Sequence, residues 1–245
     1  MKNYNLGFIS DELIFNHVKE TVLLYKTVIN LESFNSNIID PIKLTFDSKV
    51  YGKTFEEIIE AECIRQIDKS NSNHIGYFHQ NIFKLVGNGW EVPATGFDII
   101  NPILGIYAEL KNKHNTMNAS SAQATYLMMQ NHLLSNPNDT CMLVEVIAKK
   151  SQNIKWEGSF RGVFLSNEKI RRVSIDKFYE IVFGERTAFM KLCKALPIIL
   201  DDVISECQIG RINNSVYTEL QGISAVTFKS LYLLAFRTYE GFDQL

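Results

Sequence analysis

Residues 96 to 113 read Gly-Phe-Asp-Ile-Ile-Asn-Pro-Ile-Leu-Gly-Ile-Tyr-Ala-Glu-Leu-Lys-Asn-Lys. They predict two short β-strands with a turn at Asn101 and Pro102, because proline cannot donate a hydrogen bond within a sheet. Side chains alternate between the two faces of a strand, so the second strand has one apolar and one mainly charged face. The apolar face carries Leu104, Ile106, Ala108 and Leu110, and the other face carries Tyr107, Glu109, Lys111 and Lys113.

Two carboxylates and one ammonium group are expected to converge on these strands. Asp98 projects to the face opposite its apolar neighbours, so pairing of the strands brings it against Glu109. Like charges that face each other need a compensating partner. Mg²⁺ fits this role, because it commonly binds one or two carboxylates together with substrate phosphates. Lys111 would then orient an attacking water or neutralise charge on the phosphorus.

The three charged residues therefore have the parts for metal-assisted phosphodiester hydrolysis. An acid-x-Lys triplet alone is a weak motif, and a rival exists at Asp47 to Lys49 after Asp40. That stretch predicts a polar turn without a flanking apolar strand, so the strand context favours Glu109. The alternative interpretation is a pair of solvated strand ends that carry ordinary charges.

Two segments carry a family resemblance: residues 89 to 98, Gly-Trp-Glu-Val-Pro-Ala-Thr-Gly-Phe-Asp, and residues 108 to 118, Ala-Glu-Leu-Lys-Asn-Lys-His-Asn-Thr-Met-Asn. They resemble the type II restriction endonucleases that cut the interrupted site GGNCC, members of the PD-(D/E)xK nuclease superfamily. The resemblance implies that Asp98 and Glu109 bind the metal and that Lys111 is the catalytic lysine. One departure is that Phe97 stands where the superfamily pattern has a proline.

The resemblance implies an α/β fold with a restriction-endonuclease-like core, in which helices flank a central mixed β-sheet. It implies Mg²⁺-dependent cleavage of double-stranded DNA at a specific site. A palindromic site is read by a two-fold symmetric protein, so a homodimer is expected. Two alternatives stay open: a repair or junction-resolving nuclease with the same triad, and a non-catalytic module in which these residues form a structural ion cluster.

The length and composition predict a single domain over residues 1 to 245, because 46% hydrophobic content can fill one sizeable core and no linker divides the chain. Its parts would be an N-terminal helical part over about 1–50, a catalytic core over about 54–183 and C-terminal helices over about 184–245. The four cysteines lack metal-site spacing and suit buried, reduced thiols in a cytoplasmic protein. No apolar run reaches membrane-spanning length.

The basic residues are concentrated in residues 111 to 172, which hold nine Lys and Arg against four Asp and Glu. That stretch therefore carries +5, whereas the whole chain carries −2 and the remainder −7. A one-sided basic surface could track phosphates, and charges solvated around the globule are the alternative. The basic residues are Lys111, Lys113, Lys149, Lys150, Lys155, Arg161, Lys169, Arg171 and Arg172.

Thr54 and Glu57 form a capping-box pattern that predicts a helix over about residues 55 to 68. Projection of that helix places Glu62 and Gln66 inside its apolar stripe. In many nucleases of the resembled superfamily, a helix before the motif strands contributes a glutamate to the active site, so Glu62 is predicted to be catalytic. The alternative is a glutamate at the rim of the stripe with its carboxylate in water.

The segment after the second strand is predicted to contact DNA, since it leads from the metal site to a helix N-terminus that can bind phosphate. Ser120 or Ser121 is predicted to cap that helix, which extends to about residue 134. The alternative is a capped surface loop. The predicted DNA-binding residues are Lys113, His114, Asn115, Asn118, Ser120 and Gln123.

The remaining pattern predicts further elements. An apolar periodicity suggests one helix within residues 11 to 31, and residues 71 to 80 predict a turn in which His74 and His79 are structural or lie beside DNA. Residues 141 to 148 predict a buried strand whose Glu145 is an active-site acid or a strand-end charge. An edge strand is predicted at 160–165, and helices at 174–183, 185–206 and 226–238, with Pro197 kinking or splitting the second helix.

Overall fold

A computed structural model describes residues 3–114, 117–160, 162–207 and 212–236. The chain forms two compact units: the first comprises Met1–Leu23 and Ile75–Cys207, and the second comprises Leu24–His74 and Gln208–Leu245. The predicted single domain over residues 1 to 245 stays a prediction, because compactness does not test independent folding.

Helices and short strands alternate along the described residues. The helices are α1 Asp11–Leu24, α2 Leu31–Asn35, α3 Pro41–Tyr51, α4 Phe55–Asn81, α5 Ala119–Ser135, α6 Ile175–Phe183, α7 Ala188–Cys207, α8 Val216–Ile223 and α9 Thr227–Phe236, with a 3₁₀ helix at Ile82–Val86. The strands are β1 Val28–Ile29, β2 Ile99–Asn101, β3 Ile106–Lys113, β4 Thr140–Ile147, β5 Asn153–Lys155, β6 Gly158–Phe160, β7 Val163–Leu165, β8 Ile170–Ser174 and β9 Asn213–Asn214.

A five-stranded mixed sheet in the order β2-β3-β4-β8-β5 forms the centre of the first unit. β2 and β3 are antiparallel, β3, β4 and β8 run parallel to one another, and β5 is antiparallel to β8. This arrangement confirms the predicted α/β fold with a central mixed sheet flanked by helices. It also confirms the two strands of residues 96 to 113 and the buried strand after residue 140.

The turn between β2 and β3 depends on local polar contacts. The Asn101 side chain accepts a hydrogen bond from the N–H of Leu104 at 3.0 Å. Gly105 has a φ of +61°, and a Cβ atom there would lie 2.8 Å from Oδ1 of Asp139. A side chain at position 105 would therefore strain the backbone and clash with the loop before β4.

Both faces of the central sheet are covered by apolar side chains. One face contributes Ala108 and Leu110 to a core that includes residues of α6 and α7. On the other face Leu143 packs in a second core with Tyr126 and Met129 of α5. The alternation along β3 agrees with its predicted apolar face.

The second unit has its own apolar core. The parallel pair of β1 and β9 lies beside a cluster that includes Phe34, Ile59 and Leu220. α3 carries the rival Asp47 to Lys49 triplet, so the predicted polar turn is wrong and the triplet is helical. Asp40 caps this helix by accepting from the N–H of Lys43 at 3.0 Å, and Asp47 pairs with the Lys43 ammonium.

The longest helix, α4, begins at the predicted capping box: Thr54 N–H donates to Glu57 Oε2 at 2.8 Å, and Glu57 N–H donates to Thr54 Oγ1 at 3.2 Å. The predicted turn over residues 71 to 80 is wrong, because α4 continues to Asn81. Burial of Phe78 in the first unit's core outweighs the weak helix propensity of the Asn, Ser and Gly residues there.

Four smaller corrections concern local elements. The predicted helix within residues 11 to 31 ends at Leu24. The edge strand predicted at 160–165 is instead divided between the end of β6 and the whole of β7, which pair antiparallel. Pro197 lies inside α7 without dividing it, since the helix buries residues on both sides of the proline. The cysteines are free thiols, but Cys193 is exposed rather than buried. Among the described residues, no helix is both long and apolar enough to span a bilayer.

Candidate active site

The hairpin of β2 and β3 brings Asp98 and Glu109 to neighbouring positions. Ile99 pairs with Ala108, so the preceding Asp98 and the following Glu109 stand across the ladder from each other. Asp98 Oδ2 accepts a hydrogen bond from the N–H of Leu110 at 2.7 Å. This bond holds the Asp98 side chain against β3. We call β3 the catalytic strand, because it carries two of the predicted catalytic residues.

Lys111 completes the predicted triad on the same face of the catalytic strand. Its ammonium group donates to Glu109 Oε1 at 2.7 Å. The Glu109 side chain is 15% exposed and that of Lys111 is 31% exposed. The group therefore lies at a partly covered edge of the sheet, where a solvent-borne substrate can reach it.

The electrostatics of this group favour a bound cation. Burial raises the pKa of Glu109, the Asp98 charge raises it further, and the Lys111 ammonium opposes both effects without overcoming them. A second positive charge would relieve the cost of keeping both carboxylates ionised. The hydrogen bonds to Asp98 Oδ2 and Glu109 Oε1 leave the other oxygen of each carboxylate outside these contacts.

The donor set matches the requirements of Mg²⁺ better than those of a metal held entirely by protein. Within residues 3–114, 117–160, 162–207 and 212–236, no three His, Cys, Asp or Glu side chains form a metal-binding group. A pair of carboxylates suits Mg²⁺, which keeps waters and takes the remaining oxygens from a substrate phosphate. Asp98 and Glu109 are therefore the residues that would hold this ion.

The neighbouring parallel strands add a second charged cluster that the motif does not contain. Glu145 pairs in register with Lys111, and its side chain is only 1% exposed. Its carboxylate contacts the guanidinium of Arg172 on β8, and its Oε2 lies 3.1 Å from Nδ1 of His114. Burial alone would raise the pKa of Glu145, but the hydrogen bonds from Arg172 and His114 hold it below its usual value.

The predicted DNA-binding residues follow the catalytic strand. Lys113 is exposed at the carboxyl end of β3, and His114 lies in the turn directly after it. Asn118 caps α5 by accepting from the N–H of Ser121 at 2.8 Å, so the predicted cap at Ser120 or Ser121 is wrong. Ser120 is exposed and Gln123 is half-buried in the first turns of α5, and Asn115 lies outside the described residues.

The predicted basic surface is partly neutralised within the fold. Lys155 pairs with Glu157 and Glu168 at 2.8 and 3.1 Å, and Arg171 donates to Asn153. Lys149 and Lys150 are exposed just beyond the carboxyl end of β4, beside the carboxyl end of the catalytic strand. Near the triad, the described residues of the predicted surface are Lys113, Lys149 and Lys150, at the carboxyl ends of β3 and β4. Arg161 lies outside the described residues.

The chain matches a known protein family over most of its length. The model of the Eco47II restriction endonuclease family matches residues 6–205. The chain belongs to this family. It is 31% identical over 218 residues to the type II restriction enzyme Sau96I of Staphylococcus aureus, an alignment that covers 83% of each chain. It is 32% identical over 216 residues to the type II restriction enzyme Eco47II of Escherichia coli, covering 82% of this chain and 89% of that enzyme.

Membership of the Eco47II family confirms the resemblance and the predicted enzyme class. The matched residues contain all four predicted catalytic residues: Asp98, Glu109, Lys111 and Glu62. The structure brings the first three together in one group. Their catalytic roles stay predictions, because the family match identifies the enzyme class without assigning individual residues.

Glu62 has partners on its own helix in this Eco47II-family protein. Its side chain is 10% exposed, so the predicted inward orientation agrees with the structure. Arg65 donates to both carboxylate oxygens at 2.5 and 2.6 Å, and the buried Gln66 donates to Oε1 at 3.1 Å. These contacts satisfy the carboxylate without a metal ion, and the catalytic role of Glu62 stays a prediction.

Arg172 was not among the residues predicted for the site in this family member. It was predicted only as one of nine basic residues in residues 111 to 172. The alternation of Ile170, Arg172 and Ser174 would have indicated a strand with one charged position on a buried stretch. The adjacency of that strand to β4 is a property of the sheet order and has no signal in the local sequence.

Proposed function

We propose that this protein is a Mg²⁺-dependent type II restriction endonuclease that cleaves double-stranded DNA at a GGNCC-type site. The convergence of Asp98, Glu109 and Lys111 at the edge of the mixed sheet carries the proposal, within a chain that belongs to the Eco47II family. The GGNCC assignment is supported by the sequence resemblance of residues 89 to 118 to enzymes with that specificity. The alignment with the type II restriction enzyme Sau96I covers 83% of this chain.

Each member of the triad has a distinct role in this proposal. Asp98 and Glu109 would hold Mg²⁺, and the ion would supply charge stabilisation at the scissile phosphate. Lys111 lies beside Glu109 and orients the attacking water or stabilises negative charge that develops on the phosphate oxygens. The Leu110 N–H keeps the Asp98 carboxylate in position for this task.

The DNA backbone is proposed to approach the carboxyl ends of β3 and β4. Lys113, Lys149 and Lys150 are exposed there and offer ammonium groups to phosphates. Asn118 and Gln123 lie at the start of α5, and their amides have the donors and acceptors that read base edges. Lys113 ends the catalytic strand, Asn118 and Gln123 follow it in the chain, and Lys149 and Lys150 follow the neighbouring β4. Backbone binding and base reading would therefore be linked to the triad.

The assembly is proposed to be a homodimer in the cytoplasm. A palindromic site presents the same half-site on both strands, and a two-fold symmetric dimer reads both halves with one surface. Each subunit would then cut one strand.

The decisive experiment is incubation of a sequenced plasmid with the purified protein in the presence and absence of Mg²⁺. We expect discrete fragments only with Mg²⁺, and sequenced fragment ends that lie within GGNCC sites. Nicked circles without discrete fragments would indicate a repair or junction-resolving nuclease. An unchanged plasmid would indicate a non-catalytic module with an ion cluster.

Substitutions test the triad directly. We expect Asp98→Ala, Glu109→Ala and Lys111→Ala each to lower the cleavage rate by at least about 100-fold while the protein stays folded. A double substitution should add little to a single one, because the residues act as a unit. Lys49→Ala is the matched control from the rival triplet and should cleave at the wild-type rate. Wild-type cleavage by Lys111→Ala would contradict the assignment.

A further inference from the structure

The cluster of Glu145, Arg172 and His114 has no role in the chemistry proposed above, yet it adjoins the triad. Glu145 stands in register with Lys111 across the parallel ladder of β3 and β4. Leu143 stands in register with Arg172 across the ladder of β4 and β8, so the Arg172 side chain emerges on the same face as Glu145. Three adjacent parallel strands therefore contribute charged groups to one face of the sheet.

His114 is fixed to these strands at several points. Its N–H donates to the carbonyl of Ile147 at 3.0 Å, which extends the ladder of β3 and β4 by one position. Arg172 Nη2 lies 2.7 Å from His114 Nδ1 and 3.3 Å from the His114 carbonyl oxygen. Nδ1 either accepts from Arg172 or donates to Glu145, so the histidine ring remains attached to the pair in either tautomer.

The charges of this cluster do not optimise stability. Glu145 is a fully buried carboxylate, and the Nε atom of Arg172 is buried without a hydrogen-bond partner among the described residues. Such groups cost free energy that an apolar pair of similar size avoids. Their presence is explained by a role in holding another residue in place, because Glu145 and Arg172 both contact His114, the first residue after the catalytic strand.

We propose that Glu145 and Arg172 are positioning residues that fix His114, the residue directly after the catalytic strand. This inference rests on the proposed function, in which Lys113 just before it and Asn118 at the start of α5 contact DNA. The contacts of Arg172 with the Glu145 carboxylate and with the His114 carbonyl both come from Nη2. The plane of the guanidinium fixes the directions of the two hydrogens on this nitrogen, whereas the ammonium group of a lysine rotates freely.

The consequence is a selective effect on recognition. Loss of the pair releases the His114 turn, so contacts that require register with the bases weaken. Phosphate contacts from flexible lysines tolerate small displacements, and binding to unrelated DNA therefore persists. A direct phosphate contact by Arg172 would instead weaken binding to every duplex equally.

The test uses the full chain with Glu145→Gln/Arg172→Gln, in which both charges are removed together and no buried charge is left unpaired. Dissociation constants are measured in Ca²⁺ for a duplex that contains GGNCC and for one that lacks it. We expect the preference for the site to fall by about tenfold or more, with less than about a twofold change on the other duplex. Arg171→Gln, on the opposite face of β8, is the control and should keep the wild-type preference.

Amide hydrogen exchange of the peptide that contains His114 provides a second readout, and we expect exchange about tenfold faster in the double variant. Arg172→Lys keeps a cation beside Glu145 and should show the same loss of preference, which decides the matter if the double variant fails to fold. An unchanged preference in folded variants, or equal losses on both duplexes, would overturn this proposal alone. A wild-type protein without site preference would overturn the proposed function and this proposal together.

Discussion

Acidification should destabilise the fold through His79, a partly buried residue near the end of α4. Burial, together with the neighbouring His17, lowers the pKa of His79 from 6.5 to about 4. Its Nδ1 atom is buried without a hydrogen-bond partner among the described residues. The unfolded chain therefore binds this proton at a higher pH than the folded chain, so the stability is fully present above pH 6.5 and is lost as the pH falls.

The magnitude follows from the two pKa values. One pKa unit corresponds to about 1.4 kcal/mol, so linkage gives a loss of about 2 kcal/mol at about pH 5 and about 3 kcal/mol at about pH 4. A loss of this size is a large fraction of the roughly 5–15 kcal/mol that stabilises a typical domain. Glu145 contributes at lower pH, because its pKa lies below its usual value of 4.5.

Urea unfolding at about pH 7.5, 6.5, 5.5 and 5 measures this loss as a decrease in the free energy of unfolding. We expect the slope between about pH 6.5 and 5 to be markedly smaller in His79→Leu, which cannot bind a proton. The variant need not be as stable as the wild type at neutral pH, since the comparison concerns slopes. A wild-type slope that His79→Leu reproduces would refute the assignment of acid sensitivity to this histidine.

Three further expectations concern the site. Glu109→Gln should abolish cleavage yet raise the urea midpoint of unfolding at about pH 8. The pKa of Glu109 is raised in the folded protein, so the ionised carboxylate lowers stability above that pKa. An unchanged or lower midpoint would contradict this. Glu62→Gln should slow cleavage or raise the Mg²⁺ requirement, as measured by initial rates across a Mg²⁺ series. The control is Glu60→Gln, at an exposed position on the same helix, which should do neither; equal rates in both variants would remove Glu62 from the mechanism. Asn118→Ala and Gln123→Ala should weaken site-specific binding in Ca²⁺ by about 1–3 kcal/mol per base contact. Asn118→Ser separates the two roles of Asn118, because serine keeps the helix cap without the amide. Wild-type affinity in Asn118→Ser would show that the Asn118 amide makes no base contact.

The triad is the part of this protein that the sequence determines most completely. A proline and a glycine between two apolar segments require a turn, and alternation of side chains then places Glu109 and Lys111 on one face and the apolar residues on the other. A hairpin joins neighbouring segments, so the partner of each residue follows from short-range geometry. The capping box at Thr54 and Glu57 was predictable for the same reason, since both hydrogen bonds form within four consecutive residues.

The end of α4 shows where local pattern fails. Asn, Ser and Gly within residues 71 to 80 have weak helix propensity, which predicted a turn. Burial of Phe78 in the first unit's core stabilises the helix there instead, and that core contains residues distant in sequence. The ion pair of Glu62 is a local feature, because its partner Arg65 lies three residues away on the same helix. The sequence spacing could therefore have predicted this partner for Glu62 instead of a metal ion.

The sequence alone thus determined the hairpin that carries the predicted triad, the faces of its strands, the first turn of α4 and the resemblance to restriction endonucleases. Only the tertiary structure decided that β3, β4 and β8 are adjacent, and so that Lys111, Glu145 and Arg172 share one face. Parallel strands are joined by long crossovers, and the order in which they enter a sheet depends on packing of the whole core. For that reason residues separated by crossovers become neighbours, and the periodicity of each strand by itself does not predict which strands will be adjacent.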